Sequence, residues 1–265
     1  MSPQEETLQP ISLPTVTITP TNVNFNEFSQ IILTTKVMKS LFPSDMLNLT
    51  TIGTLRASLK LEPTKNTELD QIHSHNDELY GLEFVRLSSA TATVQDTTDS
   101  SLKRTYSFDF PIFSVPNANS LLIIIDENFL KFSPIFDNVI ARELVTRIKG
   151  MTRITLLGAS DKIYKFRRLT LRDCPLNPPE FITGFIGSLM CELIMNQMEN
   201  FEAIVVPSEG PVGFEKLATS DMQQLVSAVA DRLAGAVDAR VYSEECYKHW
   251  RSEGVASSTL SGLYI

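Results

Sequence analysis

Leu121-Leu122-Ile123-Ile124-Ile125 is an unbroken run of five apolar residues. It is too short for a globular helix and the right length for a strand. With no polar residue in alternation, such a strand must be covered on both faces. Two further short buried strands are expected at Arg153-Ile154-Thr155-Leu156-Leu157, closed by Gly158, and at Ala203–Val206. Between and after them the pattern turns helical. It predicts helices over Asn138–Lys149 and over about Glu180–Met198, the second introduced by Pro178-Pro179. Beyond the Gly/Pro loop Pro207–Gly213, helices are expected at Asp221–Gly235, capped by Ser220 or Thr219, and at Glu244–Arg251, capped by Ser243. Strand–helix alternation of this kind predicts a βαβ core with a mostly parallel sheet.

Upstream the pattern is different. Ile31–Lys36 reads as one more strand. Thr51–Leu61, Leu79–Leu87 and Arg104–Phe113 alternate apolar and polar with period two, which predicts half-buried, partly antiparallel strands. The segments between them, Pro63–Asp77 and Ser88–Ser101, carry no periodicity and read as loops. The expected fold is therefore α/β, a single domain with a mixed, largely parallel central sheet flanked by helices. That domain would occupy residues 25–251, with loop insertions at about 62–77 and 88–103. Residues 1–24, rich in Pro, Thr and Asn, read as a disordered or extended arm in which Thr15–Ile18 could add an edge strand. Residues 252–265 read as a flexible Gly/Ser-rich tail.

Composition narrows the function. The 265 residues carry 23 Lys plus Arg against 31 Asp plus Glu, a net charge of −8. An acidic chain is a poor binder of nucleic acid phosphates, so no nucleic-acid partner is expected. No apolar run reaches the ~20 residues of a membrane span, and the first residues lack the charged and apolar segments of a secretory signal. Cys174, Cys191 and Cys246 are odd in number and widely spaced, which fits reduced thiols in the cytoplasm, with the nucleus as an alternative compartment. Cys191, on an apolar helix, is expected to be a small buried hydrophobe.

The usual catalytic signatures are missing: no nucleophile elbow, no phosphate loop, no dinucleotide fingerprint and no zincin motif. No catalytic residue, cofactor site or metal site is expected. Asp70, His73, His75, Asp77 and Glu78 gather possible ligands, but in an unpatterned polar segment that reads as a solvated loop. In Glu209-Gly210-Pro211-Val212-Gly213 a proline removes a backbone donor that a phosphate cradle needs, so the loop reads as a turn orienting the next helix. Lys162, Lys165, Arg167, Arg168 and Arg172 form a basic run that reads as a solvated loop or helix face, or as a contact for an acidic partner.

Two stretches point to partners. In Phe181–Met190 (FITGFIGSLM) apolar residues occur nearly all round the helix, which predicts burial on every side, either within the chain or against a second subunit. Phe181, Phe185, Ile186 and Leu189 are the candidate interface residues. The second stretch is the ending. After the flexible tail come Leu263-Tyr264-Ile265. An apolar-aromatic end on a polar tether reads either as a segment folded back on its own core or as a plug for a partner. In the second case Leu263 would enter an apolar socket, Tyr264 would add a rigid ring with a hydroxyl, and the Ile265 carboxylate would be captured.

Several longer motifs carry a family resemblance. They are Ile31–Pro43 (IILTTKVMKSLFP), Ser133–Asn138 (SPIFDN), Ala159–Ile163 (ASDKI), Pro178–Ser188 (PPEFITGFIGS), Val206–Met222 (VPSEGPVGFEKLATSDM), Tyr242–Arg251 (YSEECYKHWR) and Ser261–Ile265 (SGLYI). In these the chain resembles the family of proteasome assembly chaperone 1 in its fungal form. The resemblance implies an α/β fold like that of nucleoside phosphorylases, without their catalytic residues. It also implies a heterodimer with a second assembly chaperone subunit. That pair would bind the outer face of the α-subunit ring of core-particle precursors, with the hydrophobic-Tyr-any motif Leu263, Tyr264, Ile265 entering a pocket between α subunits. Premature docking of the regulatory particle and wrong ring pairing would thereby be blocked. The competing readings are a phosphorylase-like small-molecule enzyme and a proteasome activator that opens the gate.

Overall fold

The computed structural model describes residues 14–61, 104–131, 134–173, 176–233 and 235–252. The metal-ligand candidates at 70–78, the expected strand Leu79–Leu87, Cys174 and the terminal Leu263–Ile265 lie outside these residues. By internal contacts the chain separates into two units, Met1–Thr17 with Arg56–Asp109, and Ile18–Leu55 with Phe110–Ile265.

Among the described residues eight strands are present: β1 (Thr15–Thr19), β2 (Gln30–Thr35), β3 (Thr50–Leu61), β4 (Arg104–Val115), β5 (Ser120–Ile125), β6 (Ile154–Ser160), β7 (Arg167–Leu169) and β8 (Phe201–Pro207). They hydrogen-bond in the order β1-β3-β4-β5-β2-β6-β8-β7. The larger unit holds the parallel core β5-β2-β6-β8, with Ile31 opposite Leu121 and Ile154, and Leu156 opposite Ala203. β4 runs antiparallel to β5, and β7 antiparallel to β8. The sheet is thus mixed with a parallel centre, as the short apolar-rich runs predict. Every residue of β2 is buried. Its polar Thr34 is accommodated because the hydroxyl donates to the Leu157 carbonyl at 3.0 Å.

Four helices cover the two faces: α1 (Ile135–Ile148), α2 (Gly184–Met195), α3 (Thr219–Arg232) and α4 (Ala239–Ser252). α1 and α2 pack together on one face, where an added Cβ on Gly158 of β6 would stand 3.0 Å from Ile186 of α2. The other face buries Ile32, Leu122, Leu157, Ile204 and Val206 under α3, α4 and the 3-10 helix Lys36–Leu41. α4 is fastened there by Tyr242, whose hydroxyl donates to the buried Leu41 carbonyl at 2.6 Å. α3 runs back to the start of the sheet, where the Gln30 amide donates to the Arg232 carbonyl at 2.9 Å and to Ser120 Oγ at 2.7 Å.

In the smaller unit the Arg56 guanidinium grips Asp109 at 2.6 and 2.7 Å, and the Thr15 and Ser58 hydroxyls meet at 2.9 Å. Tyr106 and Phe108 are buried.

Helix starts depart from the sequence reading. α3 begins at Thr219 with Ala218 as N-cap and no side-chain cap, so neither Ser220 nor Thr219 caps it. α4 begins five residues before the expected Glu244, because Asp238 caps it: its carboxylate accepts from the backbone N–H of Arg240 and Val241, both at 3.0 Å. Ser243 lies inside that helix. The basic run holds a short edge strand, β7, rather than a helix face. Four of its five cations face acidic side chains of the chain itself: Lys162 on Asp161, Arg167 on Glu180, Arg168 on Glu202 and Arg172 on Glu199.

Candidate functional site

In an open α/β sheet, ligands bind beyond the carboxyl ends of the parallel strands. Here three loops meet at that edge: residues 161–166 after β6, residues 176–183 before α2, and residues 208–218 after β8. Ser160, the last residue of β6, pins them. Its hydroxyl donates to the Phe181 carbonyl at 3.2 Å and accepts from Lys162 N–H at 3.2 Å, while its carbonyl accepts from Ser208 N–H at 3.1 Å. The Pro207–Gly213 loop is a turn, as expected. Glu209 and Lys216 exchange backbone hydrogen bonds across it at 2.9 and 2.8 Å, with Gly210 at φ +96° and Gly213 at φ +83°.

Beneath the loops the chemistry is acidic. Glu127, two residues past β5, is buried, and its Oε1 accepts from Phe185 N–H at 2.7 Å. This carboxyl stands in for the side-chain cap that Thr183 does not make at the start of α2. Gly184 makes room for it: a Cβ there would sit 2.5 Å from Glu127 Oε1 and 2.7 Å from Val212, at φ +68°. Asp137, in the first turn of α1, and Glu215 are buried too, and Asp137 Oδ1 and Glu215 Oε2 have no hydrogen-bond partner. Burial pushes the Glu127 carboxyl up from 4.5 to about 8, helped by the nearby Asp137, Glu215 and Asp126 and opposed by the Phe185 N–H. Burial likewise raises Asp137 from 3.8 to about 7, and Glu215 above its ordinary range.

That arrangement leaves no room for an anion at the start of α2. The helix N-terminus that would cradle a phosphate is taken by the chain's own Glu127, with two more buried carboxyls facing the same region. Among the described residues no cluster of three or more His, Cys, Asp or Glu is arranged to hold a metal ion. A depression of about 440 Å³ exists, but Lys149 and Asn196–Asn200 line it at the opposite, amino end of β6 and β8.

Of the four candidate interface residues, only Phe181 offers surface, at 47% exposed. Phe185, Ile186 and Leu189 are sealed in the chain's own core against the sheet and α1. α2 is not buried on every side either: Cys191, Ile194 and Met195 bring its last turns to the surface, so Cys191 is exposed rather than a core residue. Among the described residues no helix is long and apolar enough to cross a membrane. Sequence reasoning missed Glu127. The signal available was Asp126-Glu127 following a wholly apolar strand, at the edge where α/β sheets keep their functional groups.

Comparisons with known proteins place this geometry. The model of the POC1 chaperone family matches residues 1–265. Proteasome chaperone 1 of Saccharomyces cerevisiae is 39% identical over 250 residues, covering 93% of this chain and 86% of the yeast protein. The crystal structure of Pyrococcus furiosus PbaA, an archaeal homolog of proteasome-assembly chaperone, superposes with a TM-score of 0.51 at 14% identity, covering 90% of this chain and 94% of that one. At that identity the likeness is one of fold.

Proposed function

Because this chain belongs to the POC1 chaperone family, we propose that it acts as one half of a heterodimeric chaperone of proteasome core-particle assembly. Its coarse role, a proteasome chaperone and not an enzyme, follows from the family. The finer reading has three parts. The chain pairs with a second assembly chaperone subunit. The pair seats on the outer face of the α-subunit ring. Leu263, Tyr264 and Ile265 enter a pocket between neighbouring α subunits, which blocks premature regulatory-particle binding and off-pathway ring pairing. The compartment that fits is the cytoplasm, with the nucleus as an alternative.

The observation that carries this reading is the 39% identity along 93% of the chain. At the sheet edge Glu127 fills the start of α2, the place where the phosphorylase-like alternative would want an anion. A three-residue plug binds weakly by itself. Two plugs on one rigid pair raise the effective concentration of the second, and the folded bodies add area. Discrimination between immature and mature particles then requires a difference in affinity for two ring conformations.

The test is capture from a cell lysate with the full chain as bait. The reading expects α subunits, immature β subunits and a second chaperone. Recovery of no proteasome subunit would refute it. Stimulated peptide hydrolysis by mature core particle would favour the gate-opening activator instead.

A further inference from the structure

Three arginines converge on one face of the sheet at its amino end. Arg153 leads into β6, Arg168 lies in β7 and Arg232 closes α3. Register fixes the face. Glu202 of β8 stands opposite Thr155, Ile204 stands opposite Arg168, and Ile204 belongs to the core under α3. Alternation along each strand brings Arg153, Thr155, Glu202 and Arg168 to that same side. The Glu202 carboxylate pairs with Arg232 and, at 3.7 Å, with Arg168. Arg153 is exposed and forms no ion pair among the described residues. Burial first, then the charges of Arg153 and Arg168, hold the Arg232 guanidinium below its ordinary range. One carboxylate thus serves three guanidiniums. The cluster is also prearranged. The buried Gln30 amide holds the Arg232 carbonyl at 2.9 Å, and Arg168 lies over the Phe166 ring, 5.8 Å from its centre.

We propose that this arginine cluster is a docking site for the carboxylates of an acidic segment on a protein partner, with Arg153 and Arg168 as the binding groups and the Arg232–Glu202 pair as their fixed base. The other charges at this end of the sheet do not supply the missing partners. Arg172 is matched by Glu199 at 2.8 Å and Arg240 by Glu244 at 3.2 Å. Asp238 accepts from the backbone N–H groups of Arg240 and Val241, and Glu27 from the Asn24 amide. Lys149, Asp173 and Asp231 form no ion pair among the described residues. Summed over the whole end, acids offset bases, so the positive excess is local to the three arginines. Side-chain exposure, 51% for Arg168 against 21% for Arg232, leaves the outer guanidiniums open. Their planar forks present paired N–H donors that match a carboxylate. The chain as a whole carries −8, a field that repels an extended polyanion such as nucleic acid. A short acidic protein segment meets the local cations instead. The basic run at 162–172 supplies only Arg168; Arg153 and Arg232 come from elsewhere in the sequence. The site is independent of the terminal tail and of the heterodimer reading.

The experiment titrates a hexaglutamate peptide into the full chain at low salt, reading the arginine Nε–Hε signals by NMR. Two charge-reversed variants are compared with wild type: Arg153→Glu with Arg168→Glu, and Lys162→Glu with Lys165→Glu, a control of equal charge change at the other end of the sheet. The expected result is a saturable shift of the Arg153, Arg168 and Arg232 signals in wild type. Affinity should fall at least ~10-fold in the arginine variant and stay within about 2-fold in the lysine control. The wild-type signals alone give a readout that needs no variant to fold. Absence of a saturable shift at the three arginines overturns the proposal, as does wild-type affinity in the arginine variant. An equal loss in the lysine control also overturns it, by showing a response to net charge alone. Inorganic phosphate binding the same three signals as tightly would reduce the cluster to an adventitious ion site only. Tighter binding of a short thymidine oligonucleotide would give it to nucleic acid instead; either result refutes an acidic protein segment as the occupant.

Discussion

Replacing Glu127 with glutamine should stabilise the protein at alkaline pH and flatten its pH dependence. The buried carboxyl is raised from 4.5 to about 8, so the folded state binds that proton more tightly than the unfolded chain does. The stabilisation it brings is therefore complete below about 4.5 and is lost progressively as pH rises through 8. At about 1.4 kcal/mol per pH unit the full loss is on the order of 5 kcal/mol, of which roughly 2–3 kcal/mol falls between pH 6 and 9. The glutamine side chain would keep an oxygen to accept from Phe185 N–H and would carry no charge. The assay is urea unfolding at a series of pH values, followed by fluorescence of the chain's single, buried tryptophan, Trp250. The variant should match wild type near pH 6 more closely than at pH 9, where it should be more stable by roughly 2–4 kcal/mol. A shallower slope should persist, because Asp137, raised to about 7 by burial, has the same sign. An unchanged slope, or a variant that loses stability at pH 9, would show that the carboxylate is held ionised by a favourable partner and would refute the reasoning.

Other outcomes follow from single contacts. Gly184→Ala should destabilise by at least ~2 kcal/mol, since it combines a left-handed backbone with a Cβ driven into Glu127 and Val212; thermal unfolding checks it. Tyr242→Phe should cost about 1–3 kcal/mol, because the buried Leu41 carbonyl loses the hydroxyl that donates to it at 2.6 Å; chemical denaturation reads this. Asp238→Ala should lose about 1 kcal/mol from the start of α4, seen as faster amide exchange at Arg240 and Val241.

The parallel core was legible because a strand covered on both faces is mostly apolar, and Leu121–Ile125, Arg153–Leu157 and Ala203–Val206 are such short apolar-rich runs. β7 was hidden for the opposite reason. Arg167 and Arg168 look solvated in sequence, yet as an edge strand they turn to Glu180 and Glu202, partners 13 and 34 residues away that periodicity does not connect. Capping failed the same test of locality. Ser243 looked like a start signal, but Asp238 lies earlier and reaches two backbone N–H groups. The apolar circumference of α2 predicted total burial. The fold spends it unevenly, sealing Phe185, Ile186 and Leu189 while leaving Ile194 and Met195 outside. Glu127 was invisible as a site residue because its role depends on a helix N-terminus 58 residues further along.

The central claim is that Leu263–Ile265 fastens an otherwise intact chaperone to the α ring. The direct measurement is the affinity of the purified heterodimer for core-particle precursors, with this chain either full-length or ending at Gly262. The account predicts that the shortened chain still folds and still pairs with its partner subunit, while its ring affinity falls by at least ~10-fold. Equal ring affinity for the two forms would contradict it.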